Sequence, residues 1–425
     1  MLSPAAPTPA APSPAAVSSA AVSSADVSPA APAPSASLVP DVVLTAADLG
    51  AQLSEEHCRL PGETADALRD AGFARHFVPR CYGGSEGTFA EFLSATATVA
   101  AVCASTAWCA ALFAAHGRLA SYLPERARQE LWGEGPDVRI AASVIPPQGR
   151  ATAGEGGWRL DGSWSYASGI DHAEWVLLAG FTEGAAGKEH RIFAVPRAEV
   201  TVLDTWRPLG LRGTGSNSVR ADGVFVPEYR TFTLDRLLRP LPGGGRCHGV
   251  PFPMVAALQF AAPLLGAAEA AQSLWTAATA GRRRVDGRAA ALTPAARHLA
   301  AESSAKIKAA RLLLAEVAHR ADTAEATPAV VAECRRDAAM AAALCAEAVD
   351  RLFHAAGAGA LAEGNPLQQK WRDVTAAAAH ATLSFDTAAA AYADAVFPDP
   401  EGPDPEGPDP EGPDSDEPEK GADGS

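Results

Sequence analysis

The segment GSWSYASGIDHAEWVLLAGF, Gly162–Phe181, decides how the chain is read. Trp164 and Tyr166 stand two residues apart, and the run from Trp175 to Phe181 is apolar and bounded by turn residues, as in a buried strand. The same texture recurs in VRIAASVI (138–145), WRL (158–160), RIFAV (191–195), TVLDTW (201–206) and SVRADGVFV (218–226). Asp161–Gly162 fits a tight hairpin turn between two of these runs. Residues 138–236 are therefore expected to form an antiparallel sheet or barrel.

On both sides the period changes to that of a helix. In 41–137, TFAE at Thr88–Glu91 is a capping box opening a long helix. The next helix carries Trp108, Leu112, Phe113 and His116 on one apolar stripe. From 237 to 397 four alanine-rich helical blocks are expected, at 253–281, 293–322, 328–356 and 366–395. Their breaks fall at Gly287, Thr327–Pro328 and Gly357–Pro366, and small residues on the apolar faces suit a close-packed bundle. The fold class is α+β: a helical domain, a β domain and a four-helix bundle.

Composition limits what the body can do. Residues 1–40 are almost wholly Ala, Pro, Ser and Val, and residues 398–425 repeat PDPEG three times before an acidic end. Neither holds enough apolar surface to offset the entropy of ordering, so both are expected to be disordered tails. The acidic tail contributes −10, and removing it and Asp26 from the formal −15 leaves about −4 for residues 41–397. That balance does not fit a nucleic-acid surface. The basic run GRRRVDGR, Arg282–Arg288, reads either as a solvated helix end or as an anion contact. Seven cysteines without a CxxC pair fit neither a disulfide framework nor a metal site. With no signal-peptide pattern and no membrane span, a cytoplasmic protein is expected.

The order helical, β, helical resembles the acyl-CoA dehydrogenase fold. Within it, GSWSYASGIDHAEW (Gly162–Trp175) and DTWRPLGLRGTGSNSVRADGVFVPEYR (Asp204–Arg230) resemble strings of the flavin-dependent monooxygenases, the oxygenase components of two-component systems. The resemblance spans roughly residues 45–395. It implies reduced FMN or FAD from a separate reductase, dioxygen, a C4a-(hydro)peroxyflavin, hydroxylation of a small organic substrate, and a homotetramer. No G-x-G-x-x-G opens a helix after a strand, in keeping with an external source of reduced flavin.

WRDVTAAAAHATLSFD, Trp371–Asp386, chooses between the two chemistries of that fold. A dehydrogenase of the short- or medium-chain type places a carboxylate base just past this segment. Here there is no acid between Asp373 and Asp386, and His380 stands there instead. An imidazole accepts or donates a proton near neutral pH, so His380 is the expected acid/base. His116 reads either as a core histidine bonded to a carbonyl or, by resemblance, as a substrate-side partner. By the same resemblance Ser143 supports the flavin N5, while Trp164, Ser168 and Gly169 line its ring. Arg212, Thr214 and Ser216 would bind phosphate or ribityl oxygens, or else form a plain turn. Arg283 would meet the phosphate end from a neighbouring subunit. Thr375 stands where many aromatic hydroxylases have a second histidine, which keeps N-oxygenation of an amine open. An acyl-CoA dehydrogenase and a cofactor-free scaffold are the remaining alternatives.

Overall fold

A computed structural model describes residue 38 and residues 41–144, 148–184 and 187–397, so apart from Leu38 the expectations for the two tails lie outside the described residues. Five helices come first: α1 (Asp41–His57), α2 (Gly62–Asp70), α3 (Phe89–Val102), α4 (Ala104–Ala120) and α5 (Glu125–Trp132). Eight strands follow: β1 (Ile140–Ser143), β2 (Gly149–Gly154), β3 (Gly157–Ala167), β4 (Trp175–Gly184), β5 (Gly187–Pro196), β6 (Thr201–Leu203), β7 (Asn217–Pro227) and β8 (Thr231–Thr233). Helices then return as α6 (Phe252–Val255), α7 (Leu258–Gly281), α8 (Pro294–Thr323), α9 (Pro328–Ala356), α10 (Pro366–Ala378) and α11 (Phe385–Val396).

Local chemistry sets several of these boundaries. Thr88 accepts from the Glu91 amide at 3.1 Å while the Glu91 carboxylate takes the Thr88 amide, and this box starts α3. Helices α8, α9 and α10 each begin with a capping side chain, Thr293, Thr327 or Asn365, followed by proline at the first helical position. The cap fills an orphan amide, and proline has no amide to orphan. Helix α7 is long and apolar enough to cross a membrane, but it is enclosed by the protein. Its side chains join those of α3, α4, α8, α9 and α10 in the largest apolar core.

The sheet runs β6-β7-β3-β2-β4-β5-β8, with β1 added on β4. Most pairs are antiparallel, as expected, but β1 and β2 both pair with β4 in parallel, so the sheet is mixed. Asp161–Gly162 is not a hairpin turn. It lies inside β3 at an irregularity of the β3–β7 ladder, where the Asp161 carboxylate accepts from the Gly223 amide at 2.6 Å. The tight turn is Glu155–Gly156, between β2 and β3, with Gly156 at φ +72.

The last expected helical block is also broken. Helix α10 stops at Ala378, and His380 takes an extended conformation at φ −68, ψ 128 before a short 3-10 turn and α11. Alanine-rich propensity loses here to two specific interactions. The His380 ring stacks on Phe260, and its Nδ1 accepts the Thr382 amide. Ser384 then caps α11.

Upstream on α10, four consecutive residues bind four different parts of the chain. Lys370 is buried and donates to the Ala100 and Val102 carbonyls at the end of α3. The Trp371 ring stacks on Phe353 of α9 at 4.3 Å. Arg372 donates to the Leu209 carbonyl and pairs with Glu55 of α1. Asp373, 3% exposed, accepts the Leu211 amide at 2.7 Å. The loop between β6 and β7 thus lies directly on the α10 backbone, and Gly210 makes the approach possible. A Cβ there would sit 2.1 Å from the Arg372 carbonyl oxygen. Gly210→Ala is expected to destabilise the protein by about 1–3 kcal/mol, the usual cost of overpacking. Denaturant unfolding measures it, and an unchanged midpoint would mean that this loop is not docked on α10.

Candidate active site

The docked loop carries a chain of hydroxyls toward α4. Thr214 Oγ1 bonds the Leu211 carbonyl at 2.9 Å, Ser216 Oγ lies 2.6 Å from Thr214 Oγ1, and Ser168 Oγ lies 2.7 Å from Ser216 Oγ. The chain ends on Trp108 of α4, whose indole N–H reaches Ser168 Oγ at 3.2 Å. Beside it the Gly169 amide donates to the Thr214 carbonyl at 2.8 Å. The indole also faces the edge of His380, with ring centres 6.0 Å apart, and packs on Phe260 at 5.1 Å. Phe260 itself stacks on His380 at 3.7 Å. His380 is therefore one aromatic ring away from Ser168.

A second line of contacts starts from His116, 5% exposed on α4. Its Nδ1 meets the Ile140 carbonyl at 2.7 Å, at the start of β1. Ser143 ends the same strand and donates its hydroxyl proton to the Ser165 carbonyl at 2.8 Å. Next to Ser165 stands Tyr166, 70% exposed and held at φ +65. A large aromatic residue in that conformation is uncommon and marks a place where the surroundings impose it. The Tyr166 ring meets the edge of Trp206 at 6.1 Å, and the Trp206 indole donates to the Leu211 carbonyl. Both lines thus meet on the docked loop.

Burial fixes the protonation of the two histidines. It pushes each imidazole down to about 4, so both are neutral at pH 7. A carbonyl only accepts, so His116 carries its proton on Nδ1 and Nε2 is an acceptor. His380 Nδ1 accepts a backbone amide, so its proton sits on Nε2, a donor. The two rings are opposite tautomers, so His116 Nε2 can accept a hydrogen bond and His380 Nε2–H can donate one.

The structure therefore connects His380, His116, Ser143, Ser168, Gly169, Thr214 and Ser216. Thr214 and Ser216 are 1% and 4% exposed with their protons committed inside the chain of hydroxyls, so they support Ser168 rather than reach a phosphate. Trp164 does not line the site. It is fully buried in the β core with its indole on the Ala179 carbonyl at 2.7 Å. The exposed aromatic residue of this strand is Tyr166. Arg212 is also drawn inward, donating to the Glu55 and Pro208 carbonyls and pairing with Glu55. Together with Arg59, Arg207 and His57 it lines a separate surface cavity of about 450 Å³. Arg283 lies exposed beyond α7 and bonds Gly287 in its own turn. Sequence reasoning missed Phe260, hidden in a uniformly apolar helix, and the anchoring role of Asp373. Tyr166 and Trp108 were visible in the quoted strings but were given no role.

A family model, the acyl-CoA dehydrogenase C-terminal domain, matches residues 258–385. The chain is 33% identical over 346 residues to the flavin-dependent monooxygenase oxygenase subunit HsaA of Mycobacterium tuberculosis (strain ATCC 25618 / H37Rv), covering 78% of this chain and 87% of that one. It is 30% identical over 353 residues to the oxygenase component of p-hydroxyphenylacetate 3-hydroxylase from Acinetobacter baumannii, with 80% and 83% covered. A solved structure of XiaF from a Streptomyces species, in complex with FADH2 and glycerol, superposes with a TM-score of 0.78 at 28% identity. That match covers 87% of this chain and 96% of XiaF.

The depressed histidines predict how stability depends on pH. A histidine whose folded pKa lies below its unfolded 6.5 supports the fold above 6.5, and that support is lost as pH falls toward 4. Asp373, raised by burial to about 6, works in the opposite direction over the lower part of this window. His116→Gln removes one proton of the difference. It is expected to flatten the fall in unfolding free energy between pH 6 and 4.5 by up to about 1.4 kcal/mol per pH unit. Parallel slopes for wild type and variant in denaturant titrations would contradict a neutral, buried His116.

Proposed function

The chain belongs to the oxygenase subunits of the flavin-dependent monooxygenases, and from that membership we propose that it hydroxylates the ring of a phenol-like substrate between His116 and His380. Reduced flavin, supplied by a separate reductase, provides the chemistry that activates dioxygen and delivers one oxygen atom. The observation that carries the reading is the pair of neutral imidazoles in opposite tautomers. His116 Nε2 can accept a hydrogen bond from a phenolic hydroxyl, drawing its proton away from the ring, and His380 Nε2–H can donate one. Withdrawing the phenolic proton enriches the ring in electrons where oxygen enters.

The chain's own residues fit a flavin. Tyr166 offers an exposed aromatic face, and Ser143 and Ser168 offer hydroxyl oxygens, while Gly169 is buried against Phe113 of α4 and serves packing there. Phe260 and Trp108 pack against the His380 ring. Arg283 stands outside this cluster, and we assign it to the phosphate end of a flavin bound by a neighbouring copy in a homotetramer. Among the seven free cysteines six are buried, which supports a reducing, cytoplasmic setting. Relatives named as aromatic hydroxylases support carbon rather than nitrogen as the site of oxidation. Thr375, in place of a second histidine, is exposed and donates to the Trp371 carbonyl. The dehydrogenase alternative lacks its base, because Asp373 is enclosed and held by the Leu211 amide.

His380→Ala is expected to keep its fold and to lower product formed per reduced flavin by about 10²-fold. Hydrogen peroxide should account for the difference. The assay compares phenols with amines under oxygen and measures product and peroxide together. Wild-type coupling in the variant would remove His380 from the mechanism, and turnover of amines alone would overturn the phenol assignment.

A further inference from the structure

The direction of every hydrogen bond in the hydroxyl chain can be assigned, because both of its ends are fixed. The Leu211 carbonyl only accepts, so Thr214 donates to it. With that proton committed, Thr214 accepts from Ser216. Ser216 has then spent its own proton and accepts from Ser168. At the far end an indole N–H only donates, so Ser168 accepts from Trp108. Ser168 is left with a single lone pair and no proton to give. Ser143 reaches the same condition by another route, because its proton goes to the Ser165 carbonyl. Both hydroxyls that we place on the flavin are therefore acceptors only.

The two redox states of a flavin differ in just this respect. Reduced flavin carries a proton on N5 and donates there, whereas oxidised flavin has a bare N5 that accepts. An acceptor-only hydroxyl bonds the first and opposes the second. We propose that Ser168 shares the flavin N5 with Ser143, and that Ser216 and Thr214 are positioning residues that set the redox preference of the site: by holding the Ser168 proton inside the protein, they make it select reduced flavin over oxidised flavin. This rests on the flavin site proposed above. It explains why Thr214 and Ser216, whose hydroxyls bond only within the chain of hydroxyls and the Leu211 carbonyl, are buried polar side chains in the loop that α10 holds down.

The test is equilibrium binding to the full-length protein, without turnover. Oxidised FMN and FAD are titrated by fluorescence, and the reduced forms are titrated anaerobically. Wild type is expected to prefer the reduced form. Ser216→Ala removes the acceptor of the Ser168 proton, and Thr214→Val frees Ser216 to donate back to Ser168. Either change lets Ser168 donate to the flavin. Each should narrow the preference roughly tenfold, the order of one net hydrogen bond, chiefly by tightening oxidised flavin. The midpoint potential of the bound flavin should fall by about 30 mV, the equivalent of tenfold for a two-electron couple. Ser216→Thr keeps a hydroxyl and should retain the wild-type ratio. An unchanged ratio in both folded variants, with wild type still preferring reduced flavin, would overturn this inference and leave the proposed function standing. Equal affinity of the wild type for the two redox states would also overturn this inference, whereas failure to bind either form would remove the flavin site itself, and the inference with it.

Discussion

The carboxylate of Asp373 holds the Leu211 amide, and the site depends on that bond. Burial raises its pKa to about 6, and the amide bond works against that rise. A buried carboxylate without partners costs several kcal/mol, so the loop and the helix each supply what the other needs. The three residues before Asp373 extend the same principle. An ammonium closes the carbonyl end of α3, an indole packs on α9, and a guanidinium joins α1 to the loop. One turn of helix thus fixes four elements, and the strings around residues 204–230 and 371–373 are two halves of one contact.

That contact reaches the chemistry through the backbone of Leu211, held at φ +54. Its amide faces Asp373, while its carbonyl takes Thr214 and the Trp206 indole. Trp206 leads to Tyr166, and Thr214 leads through Ser216 and Ser168 to Trp108 and His380. The groups expected on either side of a flavin therefore take their places from the same peptide unit. Such a polar network is stable in a dry interior only when every member is satisfied, and each of these hydrogen bonds has a defined donor and acceptor.

Much of the architecture was legible because it rests on local chemistry. The capping box at Thr88, the proline starts at 294, 328 and 366, and the change of period near 138 all act within a few residues. The misreadings arose where distant contacts override local rules. The resemblance set Trp164 along the flavin ring and gave Tyr166 no role. The irregular β3–β7 pairing after Trp164 and the positive φ of Tyr166 turn them apart, so the first enters the core and the second leaves it. Asp161–Gly162 has turn chemistry, but its carboxylate serves Gly223 across the sheet. His380 sits in a run of alanines that favours helix. Only Phe260, 120 positions earlier, shows why the helix ends before it.

The same long-range packing explains why this cleft suits oxygen transfer better than removal of a proton beside a thioester. That abstraction calls for an accessible carboxylate, and the acid of α10 is turned into the loop. The ionisable groups that remain beside Trp108 and Tyr166 are neutral. His116 and His380 are held uncharged by burial, and the charge of Arg212 is met by Glu55 outside the cluster. Neutral hydrogen-bonding groups on apolar walls hold little water. A reactive oxygen species needs that dryness, because water and free protons would release it as peroxide before it met the substrate. His380, off the helix and neutral through burial, presents one oriented N–H beside Phe260 and Trp108.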